Sequence, residues 1–380
     1  MKRNVIAMIL MAVAIGTFAR GNAEENQPEP RLDVTIPVSE QLATSGPVTV
    51  TVRNMTGSVR VSGGSTSRVT VTGMVGEDVV AVDVREVDDN RINIEVVLPE
   101  VDNYARLAIA AMLEITIPRS SVLGVRTMGA SVDVTDITGA VEIQTVTGSI
   151  AVSTSEDADI VSTSTVTGDT AVSGPFGSIE AQSVMSDVVL TGFTGAVHAA
   201  TTGGRITVRD AVVTAAELRT GMGQIDIDCD LAHDAALRAT TAFGGSIEMT
   251  VPESFAGLVT LAGGVGAVDY SGFQPSGEIV TVFEDNSNDL FRALPGIDFT
   301  VTVDGGLDTD GERTIASRRG VDFEVQAGLS GRGFSVLGRD LYEFRVGDGD
   351  ARIFLDCQGA PVRVDDRDSG PVGIVLKTRP

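Results

Sequence analysis

A five-residue phrase recurs through the middle of this chain and constrains its fold more than any other feature. The phrase is a glycine, a polar residue, an aliphatic residue, any residue and a second aliphatic residue, as in Gly148–Val152 and Gly204–Val208. With two looser copies, its first aliphatic position falls at residues 132, 150, 170, 188, 206, 225 and 247, so the repeat is 18 to 22 residues long. Repeats of this kind indicate stacked units, because a single copy is too small to bury its own apolar face.

A second series of residues keeps the same irregular spacing. Each member follows a segment in which apolar and polar residues alternate, such as Val141–Gln144, so each repeat holds two short strands separated by Gly-rich turns. Equivalent positions of a stack lie on top of one another, and we expect this series to form a ladder of hydroxyl groups near a corner. Its members are Thr127, Thr145, Thr165, Ser183, Thr201, Thr220 and Thr241.

The two series predict an all-β fold, a parallel β-solenoid (β-helix) with rungs of about 18–20 residues. Parallel crossover geometry favours a right-handed coil. The alternative is a β-sandwich of hairpins, which does not require the same residue type at the same point of every copy. We expect an apolar interior made of one set of aliphatic positions: Ile150, Val152, Val172, Val188, Leu190, Ile206, Val208, Ile225, Ile227 and Ile247.

The flanks of the repeat region are less regular and set the predicted domain boundaries. Residues 31–121 contain strand-like runs and are predicted to form an N-terminal β cap with the opening rungs, followed by the regular solenoid over 122–269. The period breaks over 270–337, which we interpret as an insertion or a small subdomain. The phrase returns at Gly349–Leu355 and Ala360–Val364, so 338–380 is predicted to hold the C-terminal rungs and a tail.

The first residues have the pattern of a secretory signal peptide. Lys2 and Arg3 precede an apolar run from Val5 to Ala19, which is shorter than the roughly 20 apolar residues of a membrane-spanning helix. We predict a signal peptide over 1–23, cleaved after Ala23 or Ala19, and a mobile acidic leader over 24–30. The mature chain is then expected in the periplasm, at the bacterial cell surface or outside the cell, with no transmembrane segment.

The charge of the chain limits its partners. The net charge is −24, and loss of Lys2, Arg3 and Arg20 with the signal peptide lowers it to −27. Such a surface repels nucleic acid and anionic lipid. We therefore expect a protein or a glycan of the cell envelope as the partner, or association of the chain with itself.

Several segments resemble a bacterial family known as "putative adhesins", which contain β-strand repeats and have no established function. The resemblance covers roughly 40–270 and 340–366 and is carried by Val50–Val61, Ile115–Pro118, Thr145–Ile150 and the Gly-Asp-Gly-Asp segment at 347–350. It implies a solenoid, export and no established catalytic residues. The word "adhesin" is itself an analogy, and these motifs specify architecture rather than activity.

The outward positions of the first strand series supply the candidate sites. They are Asp133, Ala151, Ala171, Val189, Thr207, Asp226 and Glu248. The uncharged stretch Ala151, Ala171, Val189 and Thr207 is the candidate binding face, because a flat uncharged strip on an acidic rod suits a partner or self-stacking. We predict a non-catalytic binding or scaffolding module. The alternatives are a structural spacer and a carbohydrate-active enzyme that uses Asp226, Asp228 or Glu248 as its acid and base.

The sequence contains few residues that could bind a cofactor or a metal ion, and we expect neither. Its two histidines, His198 at an outward position and His233 in a turn, are isolated. Cys229 and Cys357 follow matching segments, Ile225–Asp228 and Ile353–Asp356. In an exported protein they either form a disulfide across 127 intervening residues or remain two separate buried thiols.

Overall fold

The computed structural model of this chain describes residues 34–88, 90–101, 104, 107–242, 245–264, 268–269, 280–281, 339–346, 350–357 and 374–379. The predictions for the signal peptide, the leader and the phrase at Ala360–Val364 lie outside these residues, as do nearly all of 270–337 and most of the 347–350 segment. The described residues form strands and no helix. Accordingly, none of them belongs to a helix of the length and apolarity that a bilayer crossing requires.

The strands are short in the middle of the chain and longer at both ends of the repeat region. In chain order they are β1 (Val34–Ala43), β2 (Thr49–Gly64), β3 (Arg68–Gly76), β4 (Ala81–Asp88), β5 (Arg91–Val97), β6 (Ala111–Pro118), β7 (Val122–Thr135), β8 (Val141–Gln144), β9 (Ile150–Ser153), β10 (Ala158–Ser164), β11 (Thr170–Ser173), β12 (Phe176–Gln182), β13 (Val188–Thr191), β14 (Thr194–Thr201), β15 (Ile206–Thr220), β16 (Gln224–Thr241), β17 (Ser246–Pro252), β18 (Gly257–Gly264), β19 (Val268–Asp269), β20 (Val280–Thr281), β21 (Arg339–Val346), β22 (Ala351–Cys357) and β23 (Ile374–Arg379).

Successive repeats pair in parallel along two ladders, and we call one repeat a rung. The first ladder runs through β7, β9, β11, β13, β15, β16 and β17. The second ladder runs through β7, β8, β10, β12, β14, β15 and β16. The long strands β7, β15 and β16 pass from one ladder to the other. This largely parallel pairing excludes the hairpin sandwich over these rungs, since hairpins pair antiparallel strands.

The alternation of side chains divides each rung into an inner and an outer side, and the predicted interior is confirmed. All ten predicted inward residues are at most 3% exposed, from Ile150 to Ile247. Phe176 and Phe193 are 1% exposed and belong to the same core. Burial of a Val, Leu, Ile or Phe side chain contributes about 1.5–3 kcal/mol, and the parallel register repeats that contribution in every rung.

The turn glycines of the repeated phrase lie against the backbone of the preceding rung. A Cβ atom added to Gly204 would lie 1.9 Å from the carbonyl oxygen of Ser186, and one added to Gly223 would lie 1.8 Å from that of Gly204. Gly168 has the same relation to Gly148, at 1.9 Å. A Cβ atom at these three positions would displace backbone, so the approach of consecutive turns favours glycine there, although Ser186 occupies the equivalent position of its own rung.

The predicted hydroxyl ladder stands beside these turns and joins neighbouring rungs. The Thr220 hydroxyl accepts a hydrogen bond from the Gly223 N–H at 3.0 Å and donates one to the Gly204 carbonyl of the preceding rung at 3.1 Å. Thr201 repeats the pattern with Gly204 and Ser186, at 3.1 and 3.2 Å. These hydroxyls are buried, and each satisfies a turn N–H while it binds the rung before it.

At both ends, the order of rungs in the stack differs from their order in the chain. Near the N-terminus, β2 lies between β5 and β6 on one side and β7 on the other. Near the C-terminus, β22 lies between β16 and β18, and β23 lies between β17 and β19. Antiparallel pairs complete the ends, formed by β1, β3 and β6, by β4 and β5, and by β18, β21 and β20. β2, β22 and β23 are thus held inside the stack, whereas β1 pairs antiparallel with β3 at its end.

The close approach of consecutive turns predicts that alanine destabilises the chain at one of two adjacent glycines and not at the other. Gly204→Ala should lower the free energy of unfolding by about 1–3 kcal/mol, because the added methyl group meets backbone that must move. Gly203→Ala is the matched control, since the nearest atom to its Cβ is the Val184 carbonyl oxygen at 3.9 Å. Urea denaturation of both variants checks the prediction, and equal midpoints would show that the turn spacing does not require glycine.

Candidate functional site

The four residues of the predicted binding face lie in one line along the first ladder. Ala151 pairs with Ala171, Ala171 with Val189, and Val189 with Thr207, all in register. Ala151, Ala171 and Val189 are exposed, with Val189 at 39%, whereas Thr207 is only 8% exposed. We call the three exposed residues the strip. Thr207 is not part of it, because its side chain is buried.

Hydroxyl groups border the strip on one side, and carboxylates that accept hydrogen bonds from neighbouring rungs border it on the other. Two residues further along each strand, Ser153, Ser173 and Thr191 form a second line in register and are half-buried. On the other side, the carboxylate of Asp187 accepts a hydrogen bond from the Arg205 N–H of the next rung at 2.8 Å. The strip is therefore a small, flat and uncharged surface that is flanked by polar groups.

The acidic residues of the enzyme alternative follow directly beyond Thr207. Asp226 and Glu248 are partners in register on neighbouring rungs, and Asp226 also pairs with Thr207. Asp226 Oδ1 accepts a hydrogen bond from Gln224 Nε2 at 2.6 Å, and its Oδ2 lies 3.6 Å from Arg205 Nε. The sequence therefore placed this carboxylate pair together correctly. Both oxygens of Asp226 nevertheless have partners within the chain.

The Asp226 carboxyl has a pKa that departs clearly from its ordinary value. Burial raises the pKa of Asp226, the Arg205 guanidinium acts against this rise, and the neighbouring Glu248 carboxylate adds to it. The Asp226 side chain is only 18% exposed, so loss of water around the carboxylate is a sufficient cause.

Sequence reasoning missed a third group of polar residues, on the outer side of the second ladder. His198 lies between Glu180 and Glu217 of the neighbouring rungs, and its Nδ1 is 3.1 Å from Glu217 Oε2. Small residues of the adjacent row, including Ala196 and Ala215, leave an open depression of about 350 Å³ beside them. The signal for this group lies in the outward positions of the second strand series, where Glu180, His198 and Glu217 follow one another at intervals of one repeat.

The structure separates the two cysteines and corrects the prediction for His233. The segments before Cys229 and Cys357 look alike, but the first belongs to the first ladder and the second pairs with Leu237–Thr241 of the second ladder. The cysteines therefore occupy different corners, and they are two buried thiols rather than a disulfide. His233 lies within β16 and not in a turn, although residues 232–235 have no partner in β15.

Cys357 instead takes the place of a threonine in the hydroxyl ladder. It is the partner of Thr241, whose hydroxyl is 3.2 Å from Cys357 Sγ, and the thiol lies 3.0 Å from the Gly245 carbonyl oxygen. Within the described residues, no three His, Cys, Asp or Glu side chains are grouped so that they hold a metal ion.

Comparisons with known proteins find similarity to solved structures that are named as adhesins or cell adhesion proteins. No protein-family model matches the chain, and no curated protein is similar to it. Among solved structures, a "putative adhesin" from Parabacteroides merdae is 10% identical, with a TM-score of 0.33 over 57% of this chain and 90% of that chain. One from Parabacteroides distasonis is 13% identical, with a TM-score of 0.32 over 58% and 91%. A "putative cell adhesion protein" from Clostridium sporogenes is 12% identical, with a TM-score of 0.21 over 90% and 100%.

The names of these structures agree with the family that the sequence resembles. At such identities and TM-scores, the likeness carries no argument about what this chain binds.

The raised pKa of Asp226 predicts how its removal changes stability with pH. The folded state binds this proton more tightly than the unfolded chain, so ionisation lowers the free energy of unfolding as the pH rises from about 4 to about 7. The Asp226→Asn variant has no carboxyl to ionise at this position. The difference in free energy of unfolding between this variant and the unmodified chain should therefore shift in favour of the variant as the pH rises over that interval. Denaturation midpoints at both pH values check this, with exposed Asp159→Asn as the control. A difference between variant and unmodified chain that does not change with pH would contradict the prediction.

Proposed function

We propose that this chain is exported and that its rungs form a right-handed β-solenoid that acts as a non-catalytic binding or scaffolding module in the cell envelope. In this proposal residues 1–23 are removed, 31–121 cap the stack, 122–269 form its regular part and 338–380 return to it. Residues 270–337 remain an insertion or a small subdomain. The exported chain then lies in the periplasm or at the cell surface.

One observation carries the binding role, namely the strip on the first ladder. Ala151, Ala171 and Val189 are exposed, uncharged and spaced at about 4.8 Å by the parallel register. Elsewhere the chain is strongly acidic, with a net charge of −24. An uncharged line of small side chains permits close approach by an extended partner without loss of hydration from buried charges.

The same surface favours a protein or a glycan as the partner. The hydroxyl groups of Ser153, Ser173 and Thr191 offer hydrogen bonds along one edge of the strip. A polyanion is disfavoured by the charge of the chain, which argues against nucleic acid. An extended strand or sugar chain that lies along the stack meets a small uncharged side chain and a hydroxyl group in each rung.

The enzyme alternative has the raised pKa of Asp226 and its neighbour Glu248 in its favour. A raised carboxyl pKa is the property of a general acid in glycoside hydrolysis. Arg205 and Gln224 already engage the two oxygens of Asp226, which favours a structural role for this carboxylate. Turnover of an envelope polysaccharide that is lost in Asp226→Asn would replace the binding proposal.

The test is an affinity capture from an envelope extract of the host, with the chain from Glu24 to Pro380 as bait. We expect one protein or glycan to be enriched and to be competed away by excess untagged chain. The double variant Ala171→Lys and Val189→Lys should reduce its recovery at least tenfold, because two cationic side chains would stand in the middle of the strip.

A matched double variant controls for added charge. Ile160→Lys and Ser162→Lys place two lysines at outward positions of β10 on the second ladder, and recovery should stay unchanged. Equal loss with both pairs would remove the strip from consideration. Absence of any specific partner at physiological salt and calcium would leave the spacer alternative.

A further inference from the structure

The strand β1 forms the N-terminal end of the first ladder, and one of its two edges is open. The ladder continues from β7 through β2, β6 and β3 to β1, which pairs antiparallel with β3. Among the described residues, no strand pairs with the other edge of β1. Such an edge offers a row of backbone N–H and C=O groups to a further strand.

The hydrogen bonds between β1 and β3 determine which backbone groups face the open edge. The Thr44 N–H, which directly follows β1, donates to the Ser67 carbonyl in register with the pair, at 2.8 Å. In an antiparallel pair, residues that bond to the neighbouring strand alternate with residues whose backbone groups point away from it. The N–H and C=O groups of Ser39, Gln41 and Ala43 therefore face the open edge.

Pro37 belongs to the same alternate set and limits the part of this edge that can form a complete ladder. It has no N–H to donate, and proline in a sheet is confined to positions where the missing donor faces away from a neighbour. Its position therefore leaves the pairing of β1 with β3 intact. We call Ser39–Ala43 the open run, because every alternate residue in it can both donate and accept at the open edge.

The open run carries little charge, although the chain has a net charge of −24. Glu40 is the only acidic or basic residue of β1, and Arg68 is the only one of β3, so the charges of these two strands cancel. The strand β4, which ends the second ladder beside β5, has the opposite character. Its charged residues are Asp83, Arg85, Glu86 and Asp88. Charges of this kind protect an exposed edge from further pairing, and the open run lacks that protection.

Exposed apolar side chains lie beside the open run. Pro37, Met74 and Met112 are partners in register and form a row that leads across β6 and β3 to the open edge. Met74 is 42% exposed and Met112 is 40% exposed. On the inner side of β1, Val38 and Leu42 pack against the core but remain only half-buried. Apolar surface next to an unprotected strand edge is typical of a site of association.

A second copy of the chain fits this edge better than the segment that precedes β1. Residues 24–33 contain two prolines and four carboxylates, which oppose strand pairing. A second copy instead supplies an identical open run that carries equally little charge. Two identical strands related by a two-fold axis can pair antiparallel, and each then satisfies the open backbone groups of the other.

We propose that β1 pairs antiparallel with β1 of a second copy along the open run, so that the first ladders of two copies join end to end in one continuous sheet. Complete use of the open run places Gln41 opposite its counterpart and Ser39 opposite Ala43. Glu40 then lies opposite Leu42, so the two carboxylates do not face each other. The assembly closes at two copies, because each open edge is covered by the other. The inference goes beyond the binding role of the strip and does not depend on it.

Sedimentation equilibrium of the chain from Glu24 to Pro380 tests the association. We expect a monomer–dimer equilibrium with a dissociation constant below about 100 μM. Gln41→Pro should raise this constant by about tenfold or more, because it removes a donor that faces the open edge and none that bonds to β3. A monomer at every concentration, or assembly beyond two copies, would overturn the proposal. Dimerisation only after removal of residues 24–33 would assign the edge to that segment instead and would equally overturn it.

Single cysteines locate the contact within the dimer. Gln41→Cys should form a disulfide-linked dimer on mild oxidation, because the Cα atoms of bonded antiparallel partners are about 5.5 Å apart, within reach of a disulfide. The matched control is Thr70→Cys, the register partner of Gln41 on β3. It lies one strand further from the contact, so two copies of it are separated by three strand spacings, about 14 Å, and should not link. The native Cys229 and Cys357 are buried. Equal linking of both variants, or none in Gln41→Cys, would refute the contact.

Discussion

The contact between consecutive turns is the constraint on which the rest of the structure depends. Gly168, Gly204 and Gly223 pass so close to the carbonyl groups of the preceding rung that only a hydrogen atom fits on the Cα. The threonine hydroxyls beside them bind the same carbonyl groups and the turn N–H groups. Because each turn is positioned by the one before it, both ladders keep their register, and residues of the same kind are stacked along the whole repeat region.

Because the register is fixed, outward side chains at equivalent positions of successive rungs form continuous rows on the surface. Along the first ladder, the row passes from Ala151, Ala171 and Val189 to the carboxylates of Asp226 and Glu248. Along the second ladder, it passes through Glu180, His198 and Glu217. A parallel stack therefore carries several chemically distinct surfaces without any change in its backbone, and a small number of outward substitutions is sufficient to alter one of them.

The two ends of the stack follow a common arrangement. In each, a strand near the chain terminus is inserted between two rungs that are neighbours in sequence, β2 at one end and β22 with β23 at the other. The inserted rungs are also the places where the hydroxyl ladder changes, to Asn54 and to Cys357. An inserted strand has a partner on both sides, whereas an end strand has one, so this arrangement protects β2, β22 and β23 from fraying.

The spacing of the repeat was sufficient to predict the parallel rungs, the interior from Ile150 to Ile247 and the hydroxyl corner, because a stack places residues one repeat apart in direct contact. It also aligned the strip and the pair Asp226 and Glu248. It did not reveal the partners of β2, β22 and β23, the separation of Cys229 from Cys357, or the pairing of β1 with β3. These contacts join segments that no common period relates. Their pairing depends on which strand edges and apolar faces are left open by the folded rungs, and that is decided only when the stack has formed.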